Sequence, residues 1–194
     1  MTDGGEMPEA DGEAFDRLRR RVLWAMPTGL FVVGSRDGAR RNLMTCNWVM
    51  QVATTPKLVA VGLESGSVTR SLVEAGGSFS VSLLARSDRS LVRRFVKPVR
   101  DMEVDASGVA VSLQGEPVIE VADGLPVLAG SIGWLACSVR SVHDFGDVGP
   151  GIGSSHVLVV GEVVGAGESD RLRSPSDGSD AVLTMDDTRM NYGG

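Results

Sequence analysis

The chain has 194 residues, 42% of them hydrophobic, with a mean hydropathy of +0.07, a formal net charge of −6 and a pI near 4.9. That is enough apolar material for one domain with a sizeable core. The acidic balance excludes a general binder of nucleic acid or anionic membrane, no apolar run nears the ~18 residues of a membrane span, and two cysteines with two histidines exclude a disulfide framework or a Cys- or His-rich metal cluster.

Residues 1–12 hold acids and glycines and read as a disordered acidic tail. They lack the basic and apolar regions of a signal peptide, so a cytoplasmic location is the default. Residues 13–194 are expected to form a single domain. Residues 11–26 predict a helix, with Phe15, Leu18 and Val22 near a 3.6-residue spacing, stopped by Pro27. A compact apolar strand follows at 30–34. Asp37-Gly38 supplies a turn that tolerates positive φ, and a strand over 42–52 returns as the second arm of a hairpin. It carries small polar side chains at Thr45, Asn47 and Gln51. A turn at Thr54-Thr55-Pro56 and an apolar strand at 58–63 come next.

Ser65-Gly66-Ser67-Val68-Thr69 stands just before a short helix over 69–75, stopped by Gly76-Gly77. Hydroxyls and a glycine at a helix start suit an anion, because unpaired N–H groups and the positive end of the dipole point there. Beside a polar strand able to face a flat polar ring, this suits a phosphorylated cofactor such as FMN. Residues 78–84 alternate, with Phe79, Val81 and Leu83 on one face and Ser78, Ser80 and Ser82 on the other, as in a strand buried on one side. Ser87 would cap a helix over 88–96 that buries Leu91, Val92 and Phe95 and ends at Lys97-Pro98.

Beyond it, 99–116 reads as a loop with a short strand at 109–113. Short apolar pieces at 118–121 and 126–129 flank Asp123-Gly124. A long strand spans 132–142, a glycine-rich loop 145–155 and an apolar strand 156–164. Residues 168–180 read as a polar connection, 181–185 as a last strand and 186–194 as a tail. Seven to nine strands with two or three short helices argue for a barrel or sandwich, and too few helices separate them for a doubly wound parallel sheet. Gly149-Pro150-Gly151-Ile152-Gly153 is like part of a dinucleotide fingerprint, but a strand rather than a helix follows it, so it reads as a loop.

Each candidate has a plainer reading. The 65–69 stretch also fits an ordinary turn and N-cap. Asn47 and Gln51 also fit the surface of an edge strand, His156 a polar strand boundary and Cys46 a small buried hydrophobe.

Taken in order, the pieces resemble the flavin reductase-like family from about residue 23 to the end. Met26-Pro27-Thr28-Gly29 with Val32-Val33 is similar to its F-P-T-G-V strand. Asn42-Leu43-Met44-Thr45-Cys46-Asn47-Trp48 resembles its G-M-T-x-S/N-S/W segment, with Gln51-Val52 and Pro56 at the following turn. Gly66-Ser67-Val68-Thr69 resembles its phosphate segment, and Phe79–Leu84, Leu91–Phe95, Trp134–Cys137 and His156 with Gly161-Glu162-Val163 its later motifs. The sequence departs from the pattern at Lys57, at Ser82 in place of asparagine, at Asp88 in place of glutamine, and at Ser154-Ser155 before the histidine.

The resemblance implies a mainly β fold, an FMN-binding split β-barrel of Greek-key type. It implies FMN or FAD as flavin and NAD(P)H as co-substrate. Met44, Thr45, Cys46, Asn47, Trp48 and Gln51 would line the flavin ring. Ser65, Gly66, Ser67 and Thr69 would hold its phosphate, with Ser82 a further contact, and His156 would sit at the nicotinamide site as the catalytic residue. The expected activity is an NAD(P)H:flavin oxidoreductase, a homodimer that supplies reduced flavin to a flavin-dependent monooxygenase. The alternative is a flavin-binding electron carrier or partner-dependent component that does not use NAD(P)H; an FMN oxidase of small amines is a third reading.

Overall fold

The computed structural model describes residues 12–149, 152–172 and 182–188. A helix, α1 (Glu13–Trp24), leads into β1 (Phe31–Asp37), β2 (Arg40–Cys46), β3 (Val49–Thr54), β4 (Lys57–Glu64), α2 (Val68–Gly76) and β5 (Ser78–Leu83). Two 3-10 turns, Arg86–Asp88 and Leu91–Phe95, precede β6 (Met102–Val104), β7 (Ala110–Leu113), β8 (Glu116–Val121) and β9 (Leu125–Leu128). The chain continues through β10 (Gly133–Asp144), β11 (Asp147–Gly149), β12 (Ile152–Gly153) and β13 (His156–Glu168).

Seven strands form one antiparallel sheet in the order β2-β1-β5-β10-β13-β4-β3. Its two edges, β2 and β3, are consecutive in the chain and separated only by Asn47 and Trp48. A flat sheet of seven strands is far too wide for two residues to cross. The sheet therefore curls until its edges lie side by side. The backbone, rather than a ladder of hydrogen bonds, spans the seam, so the barrel is split. Across that seam the Cys46 thiol lies 3.6 Å from the Gly62 carbonyl.

The barrel interior is packed by alternate residues, among them Val33, Val61, Leu63, Phe79, Val81, Cys137, Val157 and Val159, all nearly inaccessible. A second core lies on the other side of β1 and β5. There Leu30, Val32, Leu43, Leu84, Val92 and Phe95 meet Ala110, Leu113, Val118 and Leu128 of the small sheet β6-β7-β8-β9. Each strand of the β1–β5 pair thus feeds two cores, Val32 into one and Val33 into the other.

Several expectations change. The strand expected over 42–52 is two strands broken at Asn47-Trp48, because that point is where the barrel changes edge. Residues 78–83 are covered on both faces rather than one. The serines point at the small sheet, where Ser80 Oγ donates to the Pro126 carbonyl at 2.6 Å and Ser82 Oγ accepts from the Leu128 N–H at 3.1 Å. The helix expected over 88–96 is the pair of 3-10 turns, which still bury Val92 and Phe95. The strand expected at 109–113 is β7, and the rest of the 99–116 loop adds β6 paired to it; the loop expected over 145–155 contains the ribbon β11–β12, with Pro150 and Gly151 outside the described residues. In place of a last strand, Val182 and Thr184 make isolated bridges and Met185–Asp187 forms a 3-10 turn. The tail expected at 1–12 lies outside the described residues but for Gly12, as does most of 168–180.

Candidate functional site

α2 begins where β4 stops. Glu64 ends the strand, the Ser67 N–H returns to the Glu64 carbonyl at 3.0 Å, and Ser67 becomes the N-cap, its Oγ accepting from the Arg70 N–H at 3.1 Å. The capping oxygen accepts, so the Ser67 hydroxyl proton remains to donate outward. Gly77 closes the helix at φ 67°, the left-handed conformation that glycine adopts without cost. Thr69, Leu72 and Val73 face inward. Arg70 ties the first turn down by reaching Glu74, Asp144 of β10 and the Ser65 carbonyl.

The N-terminus of α2 opens onto a cavity of about 220 Å³. Residues 42–44 of β2 form one wall, 66–69 another and 95–98 a third, with Glu64 at the rim. Asn42 joins the walls. It is 2% exposed; its Nδ2 donates to Thr69 Oγ1 at 2.9 Å and its Oδ1 accepts from the Val99 N–H at 2.8 Å. Thr69 Oγ1 therefore accepts from Asn42 and keeps its own proton to give. Lys97, exposed at the surface, also lines the cavity. Two hydroxyl donors, the first N–H groups of a helix and a lysine make a set that fits a phosphate. The volume is below the ~300 Å³ of a small-ligand pocket, so it suits a group the size of a phosphate rather than a whole nucleotide.

The expected site residues divide between this cavity and other places. Met44, Gly66, Ser67 and Thr69 line the cavity. Ser65 turns away, its Oγ donating to the Ser154 carbonyl at 3.0 Å and its N–H to the Ser155 carbonyl at 2.8 Å. Thr45 is buried and donates to the Val92 carbonyl at 2.5 Å. Cys46 is a buried thiol pushed up to about 12, chiefly by burial and against the Trp48 backbone contact, so it behaves as a small hydrophobe. Asn47 is half-buried at the seam. Gln51 is exposed on the edge strand and bonds its neighbour's carbonyl at Ala53. Ser82 belongs to the second core.

Trp48 and His156 meet on the outer surface of the barrel, their ring centroids 4.5 Å apart and their planes at 66°. His156 begins β13 opposite Glu64, so it stands one strand from the cavity rim. Burial lowers its pKa below the ordinary value and the Glu64 charge works against this, leaving a neutral imidazole at neutral pH. The Ser155 hydroxyl lies 2.9 Å from Nδ1.

Asn42 and Lys97 are additions to the residues expected at the site. Asn42 shares its strand face with Met44 and Cys46; a polar group on an apolar face must find partners, and that was the available signal. Lys97 read only as the end of a helix. Among the described residues no group of three His, Cys, Asp or Glu is placed to hold a metal ion, and no helix is long and apolar enough to cross a membrane.

Residues 23–192 match the model of the flavin reductase like domain. The chain is similar to an NADH-dependent FAD reductase of Streptomyces globisporus, 29% identical over 152 residues that cover 78% of this chain and 76% of the relative. It is 31% identical to the NADH-dependent flavin reductase StyB of Pseudomonas fluorescens over 64% of this chain and 69% of StyB. It spans less than half the length of some longer relatives. Among solved structures it is similar to a homologue of nitrilotriacetate monooxygenase component B from Mycobacterium thermoresistibile, with a TM-score of 0.64, 26% identity, and coverage of 84% of this chain and 82% of that one.

Proposed function

The chain belongs to the flavin reductase-like family, and from that premise we propose that it moves hydride from NAD(P)H to FMN or FAD and releases reduced flavin to a separate flavin-dependent monooxygenase. The observation that carries the reading is the cavity at the start of α2, lined by Ser67, Thr69 and Lys97, whose donor types suit a phosphate. The relatives named as NADH-dependent reductases and as a monooxygenase component support the direction of the reaction and the kind of partner.

When bound, the flavin supplies the hydride-accepting ring. The protein binds, orients and keeps out water. Ser67 and Thr69 donate to the phosphate, and Lys97 offsets its charge. The backbone from Met44 to Asn47 is assigned to the ring edge, since the Thr45 and Cys46 side chains are turned into the fold. His156, neutral and one strand away, holds the nicotinamide rather than moving a proton. Hydride transfer depends on ring placement, so no acid–base pair is called for. A reductase that draws on the NAD(P)H pool is assigned to the cytoplasm.

The homodimer belongs to the same reading. β3 is an edge strand with Met50 64% and Val52 46% exposed, and α1 has no buried residue. A second copy would cover this apolar area. Sedimentation as a monomer at micromolar concentration would refute it.

The test of the cradle is the Ser67→Ala, Thr69→Ala double variant. FMN binding should weaken by roughly 1–3 kcal/mol, the scale of hydrogen bonds to a charged group. Riboflavin, which has no phosphate, should be nearly indifferent; equal losses place the phosphate elsewhere. Steady-state turnover that rises and saturates with free flavin supports release. A bound flavin that never exchanges overturns it in favour of an electron carrier.

A further inference from the structure

The Trp48–His156 pair is more than a contact between neighbours. Trp48 occupies the two-residue link between the sheet edges, and its ring lies over Gly62. A Cβ at Gly62 would stand 3.0 Å from the indole Cε3 and 3.2 Å from the Trp48 Cβ, so the glycine is what seats the indole. The Gly62 N–H donates to the Trp48 carbonyl at 2.9 Å, fixing the backbone beneath the ring. His156 is held from two directions, by the indole at its ring and by Ser155 at Nδ1. Nε2 has no partner among the described residues.

We infer that Trp48 is a positioning residue, which sets the plane of the His156 imidazole and leaves Nε2 directed to the ligand. The inference rests on the assignment of His156 to the nicotinamide site. It explains why a half-exposed tryptophan stands at the seam, where a small polar residue would span the gap equally well. The surroundings of the imidazole agree. From β4 the charged neighbour is Glu64, which favours the imidazolium. On β10, His143 lies opposite Leu158 with its Nε2 on the Ser141 hydroxyl, and Asp144 is turned to Arg70. The indole is an apolar cover, and its removal admits water to the ring.

The chain has only two histidines, so an NMR titration of their ring protons is assigned with one His156→Ala spectrum. Trp48→Leu should move the His156 titration to higher pH, toward the ordinary value, while Trp48→Phe, which keeps an aromatic edge, should hold it near the original. The same Trp48→Leu change should raise KM for NAD(P)H by roughly three- to tenfold, with a smaller change in kcat, the scale of one lost aromatic contact. In a His156→Ala background it should add nothing to KM. An added effect of equal size in that background overturns the inference, because Trp48 then acts on the ligand directly. An unmoved titration also overturns it. If His156→Ala leaves KM unchanged, the nicotinamide assignment fails, and the titration still decides whether Trp48 holds the ring.

Discussion

Replacing Asn42 by aspartate probes the cavity without changing its shape. The side chains are isosteric, and an Asp carboxylate still accepts the Val99 N–H that Asn42 Oδ1 accepts at 2.8 Å. The other oxygen then faces Thr69 Oγ1, where the wild-type Nδ2 donates across 2.9 Å. Two acceptors cannot share that space without a proton, so Thr69 must turn its own hydroxyl proton inward. The phosphate loses a donor worth about 1.5–3 kcal/mol and gains a carboxylate nearby. Together these come to about 3 kcal/mol, or roughly two powers of ten in the Kd of FMN. Riboflavin should bind almost as before. The new carboxyl is as buried as Asn42, at 2% exposure, so desolvation raises its pKa. Once protonated it donates to Thr69 as the amide does, and the FMN defect should shrink as the pH falls. Binding is read by quenching of flavin fluorescence, alongside a melt of the ligand-free protein. Unchanged FMN affinity, or a riboflavin loss as large as that of FMN, would refute the reasoning.

Other expectations follow from the cores. Gly161→Ala puts a Cβ 2.5 Å from the Phe79 ring and 2.9 Å from the Cys137 Cβ, both fully buried, so urea unfolding should show a loss of about 1–3 kcal/mol. Burial acts to raise the Glu120 carboxyl, but the Arg41 guanidinium at 2.9 Å and the Ala110 N–H outweigh it, and its pKa lies below the ordinary value. The stability it contributes is complete above the unfolded carboxylate pKa and is lost as pH falls through the folded one; in Arg41→Ala that loss should begin at higher pH in an acid titration followed by circular dichroism. Cys46 and Cys137 are both pushed up to about 12 by burial, so a thiol reagent at neutral pH should label neither in the folded protein and both in denaturant.

Much of the site could be read from local chemistry. Asp37-Gly38 marked the first hairpin, Ser67 the cap of α2 and Gly77 its end, and each depends on a few adjacent residues. Phe79, Val81 and the interior valines followed from alternation. What the sequence left hidden is tertiary. In Cys46-Asn47-Trp48-Val49 only Asn47 favours a turn, too weak a signal alone, because the break there comes from curling the sheet. Ser80 and Ser82 read as a solvent face because β9, whose backbone they bond, is far along the chain. Leu91, Val92 and Phe95 fit a 3-10 turn as well as an α-helix, since only two turns are involved. The role of Asn42 is tertiary too, because its partners, Thr69 and Val99, come from two other elements.

The two-residue link between the sheet edges also shapes the entropy of assembly. β1–β2 and β3–β4 are hairpins of sequence neighbours, and the link joins them directly. Both rims of the future seam therefore belong to one short run of chain, and their encounter closes almost no loop. The expensive closures lie elsewhere, in β4 with β13 and β5 with β10, whose partners are far apart in sequence. Contact order is thus concentrated opposite the seam, on the strands β10 and β13 that complete the wall. The seam that carries Trp48 is bounded by the most local part of the topology, and a circular permutation opened between Asn47 and Trp48 would turn it into the most distant.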